Sequence, residues 1–227
     1  MLRSRINHII RNAEETIRSH GFTLPPFATW SEQDIRDAGG DSLVVARRLG
    51  WDVTDYGLDR FDEVGLALFT LRNGALADLR VGRGMCYAEK LLISRDGQLS
   101  PMHRHGIKAE DIINRGGAPL AVELYGSTPD GDFDENAGGT VLRDGVSYDF
   151  TPGEVLTLKP GQSVTLRPGD WHAFWGDGGD VLVGEVSTVN DDETDNTFRD
   201  SVGRFSQVEE DEPAYRPLVS DYDRLCE

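Results

Sequence analysis

The chain has 227 residues, of which 40 are acidic and 23 are basic, for a formal net charge of −17. With 38% hydrophobic and 28% charged residues, its composition is that of a soluble globular protein long enough to bury a core. Such a negative surface repels nucleic acids and anionic membranes, so we expect neither as a partner, and phosphorylated substrates are disfavoured.

Two features of the sequence predict the compartment. The two cysteines, Cys86 and Cys226, are too few for a disulfide scaffold, and the N-terminus lacks the apolar core of a secretory signal. The longest uncharged apolar stretch, residues 64–71, is eight residues long, whereas a membrane span needs about 20. These observations predict a cytoplasmic protein.

The first fifty residues predict helices. Isoleucines and an alanine recur at spacings of three and four between Ile6 and Ile17, and Gly21 ends the pattern. Ser31 and Asp34 have the spacing of a capping box and predict a short helix towards Ala38. After the Gly39-Gly40 pair, residues 42–49 have room for one or two more helical turns.

From Trp51 onwards, short apolar segments alternate with turn residues every eight to twelve positions, which indicates an antiparallel sandwich or barrel. The candidate strands are 64–72, 86–94, 98–104, 121–125, 155–158, 163–166, 172–175 and 181–189. We therefore expect one domain over residues 1–227, composed of a helical layer (1–50), a β-barrel (51–190) and an acidic tail that wraps the barrel (191–227).

Three of the five histidines have metal-ligand spacing. His103 and His105 are two residues apart, so on a strand both imidazoles project from one face. A turn at Gly106 would let Glu110 return on the same face from the next strand, and His172 supplies a third imidazole. Three histidines and a glutamate suit Mn, Fe, Co, Ni or Zn. Taken singly, each histidine is equally well explained as a core side chain that bonds to the backbone.

The surrounding residues resemble the cupins. The first cupin motif, G-x5-H-x-H-x4-E-x6-G, is matched at Gly97, His103, His105, Glu110 and Gly117. The second motif is matched in part, at Gly161, Pro168, Gly169 and His172. It departs from the cupin pattern because Pro168 abuts Gly169 and because Gly176 stands where asparagine is common.

Three longer segments, 102–117, 169–174 and 184–196, look like the D-lyxose isomerase family of cupins. The resemblance extends over nearly the whole chain. It implies a mostly β fold, a cupin double-stranded β-helix or jelly-roll barrel. It also implies a divalent metal, most often Mn²⁺, held by four ligands, and the interconversion of an aldose and a ketose. The four ligands fall on His103, His105, Glu110 and His172.

Aldose–ketose isomerisation through a cis-enediol needs a proton transferred between C1 and C2 and another between O1 and O2. Lys108, between two expected ligands, is a candidate proton shuttle and substrate ligand, and a neighbouring cation would lower its pKa. The alternative interpretation of Lys108 is a turn residue that faces solvent. The candidates for the base that acts on carbon are Glu185 and Glu210. The alternative role for Glu185 is to orient a ligand histidine, and the alternative for Glu210 is a solvated surface carboxylate. Trp171 and Phe174 are candidate platforms for a sugar ring, or core residues.

Three functions compete at this level. The first is a metal-dependent isomerase of a small neutral sugar, with D-lyxose/D-xylulose or D-mannose/D-fructose as substrates. The second is a metal-dependent cupin oxygenase, although such enzymes prefer two histidines and one carboxylate. The third is a non-catalytic cupin that binds sugars. A free sugar is favoured over a phosphosugar by the charge of the chain. Because cupin barrels commonly pair through their sheets, we expect a homodimer.

Overall fold

The computed structural model describes residues 1–226, and its secondary structure is dominated by antiparallel strands. The α-helices within these residues are α1 (Arg3–Ser19), α2 (Glu32–Ala38), α3 (Leu43–Ala46), α4 (Leu76–Val81) and α5 (Tyr222–Cys226). The strands are β1 (Gly50–Thr54), β2 (Leu66–Arg72), β3 (Tyr87–Ser94), β4 (Ser100–His105), β5 (Glu110–Gly117), β6 (Leu120–Ser127), β7 (Phe133–Asp134), β8 (Gly139–Arg143), β9 (Val146–Phe150), β10 (Glu154–Leu158), β11 (Ser163–Leu166), β12 (Trp171–Gly176), β13 (Val181–Thr188) and β14 (Asn196–Phe198).

The strands form two facing sheets, as a cupin barrel requires. One has eight strands in the order β1-β2-β3-β13-β5-β11-β8-β9, and the other has six in the order β10-β6-β12-β4-β14. The short strand β7 pairs with β6. Consecutive strands β4 and β5 belong to different sheets, so the turn between them crosses from one sheet to the other at the edge of the barrel.

The eight-stranded sheet is buried on both faces near β2. Leu66 and Leu68 point into the barrel and join a core cluster between the sheets, whereas Ala67, Phe69 and Leu71 point outwards and join a second cluster under α1. This alternation follows from the two-residue period of a strand. A helical layer on one outer face is therefore required to shield the apolar side chains that β2 directs away from the barrel.

The three α-helices of the first fifty residues lie where the sequence predicts, whereas α4 and α5 were not predicted. All five apolar positions of the α1 pattern are buried, namely Ile6, Ile9, Ile10, Ala13 and Ile17. Gly21 follows the helix with a φ of 74°, a left-handed conformation that glycine adopts readily. The Ser31–Asp34 capping box is present at the start of α2, and α3 provides the short helical turn expected after residue 42.

The C-terminal tail passes over the barrel and returns to α1. It first adds β14 to the edge of the six-stranded sheet beside β4, and it then runs alongside the N-terminus. There the buried guanidinium of Arg3 donates to Glu210, with Nη2–Oε1 at 2.6 Å, and to Asp221, with Nη2–Oδ1 at 2.9 Å. The two ends of the chain are thus joined by charge-assisted hydrogen bonds.

All eight candidate strands are present, with bounds that shift by two residues or fewer. Strands that the sequence pattern did not predict include β1, β5, β8, β9 and β14. No helix among residues 1–226 is both long enough and apolar enough to cross a membrane.

Candidate active site

The expected metal ligands lie inside the barrel, at the edge where β4 crosses to β5. His103 and His105 are both buried on β4, one strand period apart. Glu110 is the first residue of β5 and is also buried. The expectation that Glu110 returns on the same face is wrong in detail, because β5 belongs to the facing sheet. Glu110 therefore reaches the histidines across the barrel interior.

A carboxylate from the tail holds the turn between these two strands. The side chain of Asp195 accepts hydrogen bonds from the backbone N–H groups of Gly106 (2.9 Å), Ile107 (2.8 Å) and Lys108 (2.8 Å). Its backbone oxygen lies 3.3 Å from Nδ1 of His105. Asp195 thereby positions His105 and Lys108 relative to each other.

His172 joins the cluster through strand pairing. It lies directly opposite His103 where β12 pairs with β4, and the centroids of the two rings are 4.2 Å apart. One ring nitrogen from each of His103, His105 and His172 lies within 4.8 Å of the others. Glu110 adds a carboxylate oxygen, Oε1, at 3.2 Å from Nε2 of His172 and 3.3 Å from Nε2 of His105.

The hydrogen bonds of the rings define which nitrogen faces the cluster. Each ring directs Nδ1 at a backbone carbonyl oxygen: His103 at Pro101 (2.8 Å), His105 at Asp195 (3.3 Å) and His172 at Asp170 (3.1 Å). Because a carbonyl oxygen accepts only, Nδ1 carries the proton in a neutral ring and Nε2 is left with a bare lone pair.

The atoms that face one another are therefore all acceptors. Nε2 of His105, Nε2 of His172 and Oε1 of Glu110 are buried and have no hydrogen-bond donor among the described residues. Buried acceptors without a donor are costly. A cation among them removes this cost, so the residues present fit a divalent metal such as those that prefer imidazole and carboxylate ligands.

The protonation states of the cluster are those of metal ligands. Burial, together with the neighbouring histidines, holds the pKa of His103 well below its usual value, and burial also lowers the pKa of His105. Burial alone would raise the pKa of Glu110, but the ammonium group of Lys108 and the contacts with His105 and His172 together outweigh burial and hold that pKa well below the ordinary range. The neutral imidazoles of His103 and His105 thus lie beside the ionised carboxylate of Glu110, the forms in which these side chains bind metals.

Lys108 bridges the cluster to the second expected carboxylate. Its Nζ lies 2.7 Å from Oε2 of Glu110 and 3.0 Å from Oε1 of Glu185, and all three side chains are buried. Burial lowers the pKa of Lys108, but Glu110, Glu185 and Asp192 together outweigh burial and raise it above the usual value. The lowered pKa expected from the sequence assumes a neighbouring cation and is not produced by the protein side chains alone.

A row of alternating positive and negative side chains extends from Glu185 away from the histidine cluster. Lys90 on β3 lies opposite Glu185 on β13, with Nζ 3.5 Å from Oε1 of Glu185 and 3.5 Å from Oδ1 of Asp192. Asp192 in turn lies 3.2 Å from the guanidinium of Arg204, which contacts Asp52 at 2.8 Å. Each buried cation of this row is thus matched with a carboxylate.

These groups surround one cavity in the barrel. The apolar part of its wall includes Leu66, Leu92, Ile112 and Phe174, and the polar part includes the cluster and the charged row. Phe174 faces this cavity because it lies two residues after His172 on β12 and shares its inward face.

Two expected site residues lie elsewhere. Trp171 is one position out of phase with His172, so it faces away from the cavity and packs with Met102 and Ala173. Glu210 lies in the tail, where its side chain is 54% exposed and is paired with Arg3. Neither lines the cavity that contains the histidines.

Sequence reasoning did not single out several residues that complete the cavity. They are Tyr56, Lys90, Asp192 and Arg204, and Asp195, which holds the Lys108 turn, was also not singled out. Asp192 and Asp195 fall within the segment 184–196, which resembles D-lyxose isomerases. That resemblance indicated that residues of this segment contribute to the site. Lys90 carried a further signal, since a lysine in the middle of an apolar strand is buried only with a partner.

A barrel of two antiparallel sheets with an inward cluster of three histidines and a glutamate has the cupin fold and a side-chain set that could hold a metal ion. A family model described as D-lyxose isomerase matches residues 1–222. The chain belongs to the D-lyxose isomerase family, and it is a sugar isomerase.

Comparisons with individual proteins agree with this assignment. The chain is 44% identical to a D-lyxose/D-mannose isomerase of Escherichia coli O157:H7 over 231 residues, which cover 98% of both chains. It is also 44% identical to one of Serratia proteamaculans over 229 residues, again with 98% of both chains covered. Among solved structures, an L-ribose isomerase mutant of Acinetobacter sp. DL28 with L-ribose has the same fold, with a TM-score of 0.63, 15% identity, and coverage of 92% of this chain and 98% of that one.

Proposed function

We propose that the protein interconverts free aldoses and ketoses, D-lyxose with D-xylulose and D-mannose with D-fructose, in a metal-dependent reaction through a cis-enediol. The observation that carries the proposal is the convergence of buried acceptors from His105, His172 and Glu110 beside the Lys108–Glu185 pair. The substrates are suggested by the two relatives named D-lyxose/D-mannose isomerase.

The ligands that would hold the metal are His103, His105, Glu110 and His172, and we propose Mn²⁺, with Zn, Co, Ni and Fe as alternatives. When bound, such an ion supplies Lewis-acid chemistry: it polarises the sugar carbonyl and lowers the pKa of the adjacent hydroxyl.

Glu185 and Lys108 are the groups that we propose to move the protons. The carboxylate of Glu185 would take the proton from C2 of the aldose and return it to C1, while the ammonium group of Lys108 would exchange a proton between O2 and O1. The reaction is then balanced, because each proton removed is returned and no electron leaves the sugar. The 3.0 Å contact between Nζ of Lys108 and Oε1 of Glu185 supports a joint role, and Phe174 would exclude water beside them.

The charges of the cavity favour a neutral sugar over a phosphosugar. A phosphate needs cations that are free to bind it. Among the described residues of the cavity wall, Lys90, Lys108 and Arg204 are each already matched with carboxylates at 3.5 Å or less.

The test is incubation of metal-loaded protein with a panel of aldoses and ketoses, followed by identification of the products. We expect D-lyxose and D-xylulose to interconvert, with and without oxygen. If no free sugar is converted in the presence of Mn²⁺, the proposal fails. Conversion that requires oxygen would instead support the oxygenase.

We further propose a cytoplasmic homodimer in which residues 1–227 act as one domain. The free thiols of Cys86 and Cys226 suit a reducing compartment. Light scattering in solution tests the dimer, and a mass equal to one chain would contradict it.

A further inference from the structure

Tyr56 has an unfavourable backbone conformation at the wall of the cavity. Its φ is 56°, in the left-handed region that residues with a Cβ atom rarely occupy, and its side chain is 4% exposed. Residues held in such a conformation are concentrated at functional sites, where surrounding contacts enforce it.

The C-terminal tail provides those contacts. The backbone N–H of Gly203 donates to the carbonyl oxygen of Tyr56 at 2.9 Å. The hydroxyl of Thr54 accepts from the Tyr56 N–H at 2.9 Å and donates to the carbonyl oxygen of Arg204 at 2.7 Å. The tail segment that includes Gly203 and Arg204 therefore fixes the backbone on both sides of the Tyr56 Cα atom.

The result is a tyrosine ring directed into the cavity. The ring packs edge-on against Phe198, with centroids 5.7 Å apart, and Phe198 in turn lies 5.7 Å from the ring of His103. The hydroxyl of Tyr56 lies 3.1 Å from Oγ of Ser100, and both residues line the cavity.

This pair has unused hydrogen-bonding capacity. Each hydroxyl has one donor and two acceptor positions, and within residues 1–226 the hydroxyl of Tyr56 has Ser100 as its one partner. Burial raises the pKa of Tyr56 to about 12, so the group is a neutral hydroxyl near pH 7. The charged groups nearby, Asp192 and Arg204, already contact each other.

We propose that the Tyr56 hydroxyl, together with Ser100, binds a hydroxyl group on the part of the sugar that does not react, C3 to C5. This inference rests on the proposed function, because the reacting carbons must lie beside Lys108 and Glu185. Tyr56 makes no hydrogen bond to either of these residues in the described part of the chain. Tyr56 is thus a specificity-determining residue, and its neutral hydroxyl matches the chemistry of an uncharged sugar.

The experiment compares Tyr56→Phe with a matched control, Tyr222→Phe. Both substitutions remove one buried hydroxyl, but that of Tyr222 donates to the carbonyl oxygen of Leu49 outside the cavity. The probe is D-arabinitol, a five-carbon polyol that cannot isomerise, titrated into manganese-loaded protein by calorimetry. Thermal unfolding and metal content are measured on every variant.

We expect Tyr56→Phe to weaken D-arabinitol binding about 5- to 20-fold, which is the loss expected from one hydrogen bond that leaves a buried partner unpaired. Metal content should not change, and Tyr222→Phe should bind as the wild type does. In turnover, KM for D-lyxose should rise by a similar factor while kcat changes less than about twofold, since the group does not touch the reacting carbons.

Deoxy sugars identify the contact. Among the 3-, 4- and 5-deoxy analogues of D-lyxose, the one that lacks the contacted hydroxyl should lose least further affinity in Tyr56→Phe. Unchanged D-arabinitol binding in Tyr56→Phe, or equal additional losses for all three analogues, would overturn the inference. Should Tyr56→Phe not fold, Ser100→Ala takes its place with the same expectations. Weakened polyol binding in a protein that isomerises no sugar would refute the proposed function and leave this subsite standing.

Discussion

The carboxylate of Asp195 accepts the backbone N–H of Lys108 at 2.8 Å, although 87 residues separate the two in the chain. The same carboxylate accepts from Gly106 and Ile107, so the turn between two metal-ligand segments is held by the tail and not by its own sequence. The position of Lys108 thus depends on a tail residue whose backbone oxygen also contacts the ring of His105.

Replacing Asp195 with alanine should weaken metal binding about 10- to 100-fold, the usual effect of removing a group that orients metal ligands. Competition with a chromophoric chelator measures this. The control is Asp191→Ala, since Asp191 also caps backbone N–H groups, those of Glu193 and Thr194, but does not hold the Lys108 turn. Wild-type metal affinity in Asp195→Ala would contradict the role of this carboxylate.

Chelator treatment should abolish isomerisation, and Mn²⁺ should restore it. Removal of the ion should also lower the melting temperature, because the facing acceptors of Glu110 and His172 then lack a partner and the stabilisation from binding is lost. Activity and thermal unfolding before and after metal removal provide the measurement. Full turnover by metal-free protein would refute metal dependence.

His172→Ala should reduce metal occupancy without unfolding the barrel, because β12 keeps its backbone pairing with β6 along its length. Metal content per chain and circular dichroism are the readouts. His8→Ala, at an exposed histidine of α1, should retain full occupancy. Tight stoichiometric metal in His172→Ala would remove this residue from the ligand set.

The two candidates for the carbon base, Glu185 and Glu210, differ in the effect on kcat that we expect from their substitution. Glu185→Gln should lower kcat about 10²- to 10⁴-fold, the range typical of a lost general base. Glu210→Gln should change kcat by less than about twofold, because Glu210 pairs with Arg3 outside the cavity. Steady-state kinetics on both variants decide between them, and a larger loss in Glu210→Gln would reverse the assignment.

The Arg3–Glu210 pair should make stability depend on pH. The hydrogen bond from Arg3 lowers the pKa of Glu210 below 4.5, so the ionised carboxylate stabilises the folded state above pH 4.5. That contribution is lost as the pH falls through the lower folded-state pKa. The difference in melting temperature between wild type and Glu210→Gln should therefore shrink from pH 6 to pH 3. A difference that is constant across this range would show that the pair contributes nothing through ionisation.

The parts of the fold with a strong local pattern were predictable. The spacing of Ile6 to Ile17 predicts α1, and alternation or apolar runs predict eight strands. Strand β5 is absent from the candidate strands because it begins with Glu110-Asp111 and ends in two glycines, although the spacing of Glu110 had suggested that this residue lies on the strand after His105. Strand β9 was missed although Val146, Tyr148 and Phe150 alternate with polar residues, which is the pattern of a strand with one apolar face.

The candidate metal site was predictable because its four side chains lie in two short motifs, of which the first is matched in full and the second in part. Its surroundings were not, since Lys90 and Asn190, or Lys108 and Asp195, meet only through the fold. Phase along β12 decides the outcome for the two aromatic candidates: Phe174 shares the face of His172, whereas Trp171 does not. A shift of one position along a strand moves a side chain from the face that lines the cavity to the opposite face of the sheet.

The tail that contributes β14, Asp195 and Arg204 follows all the other strands in the chain. During synthesis, thirteen strands emerge before the segment that orients Lys108 and closes the cavity around Tyr56. The cavity can therefore be completed only after the last strand of the barrel has been synthesised, because Asp195 and Arg204 are not available earlier.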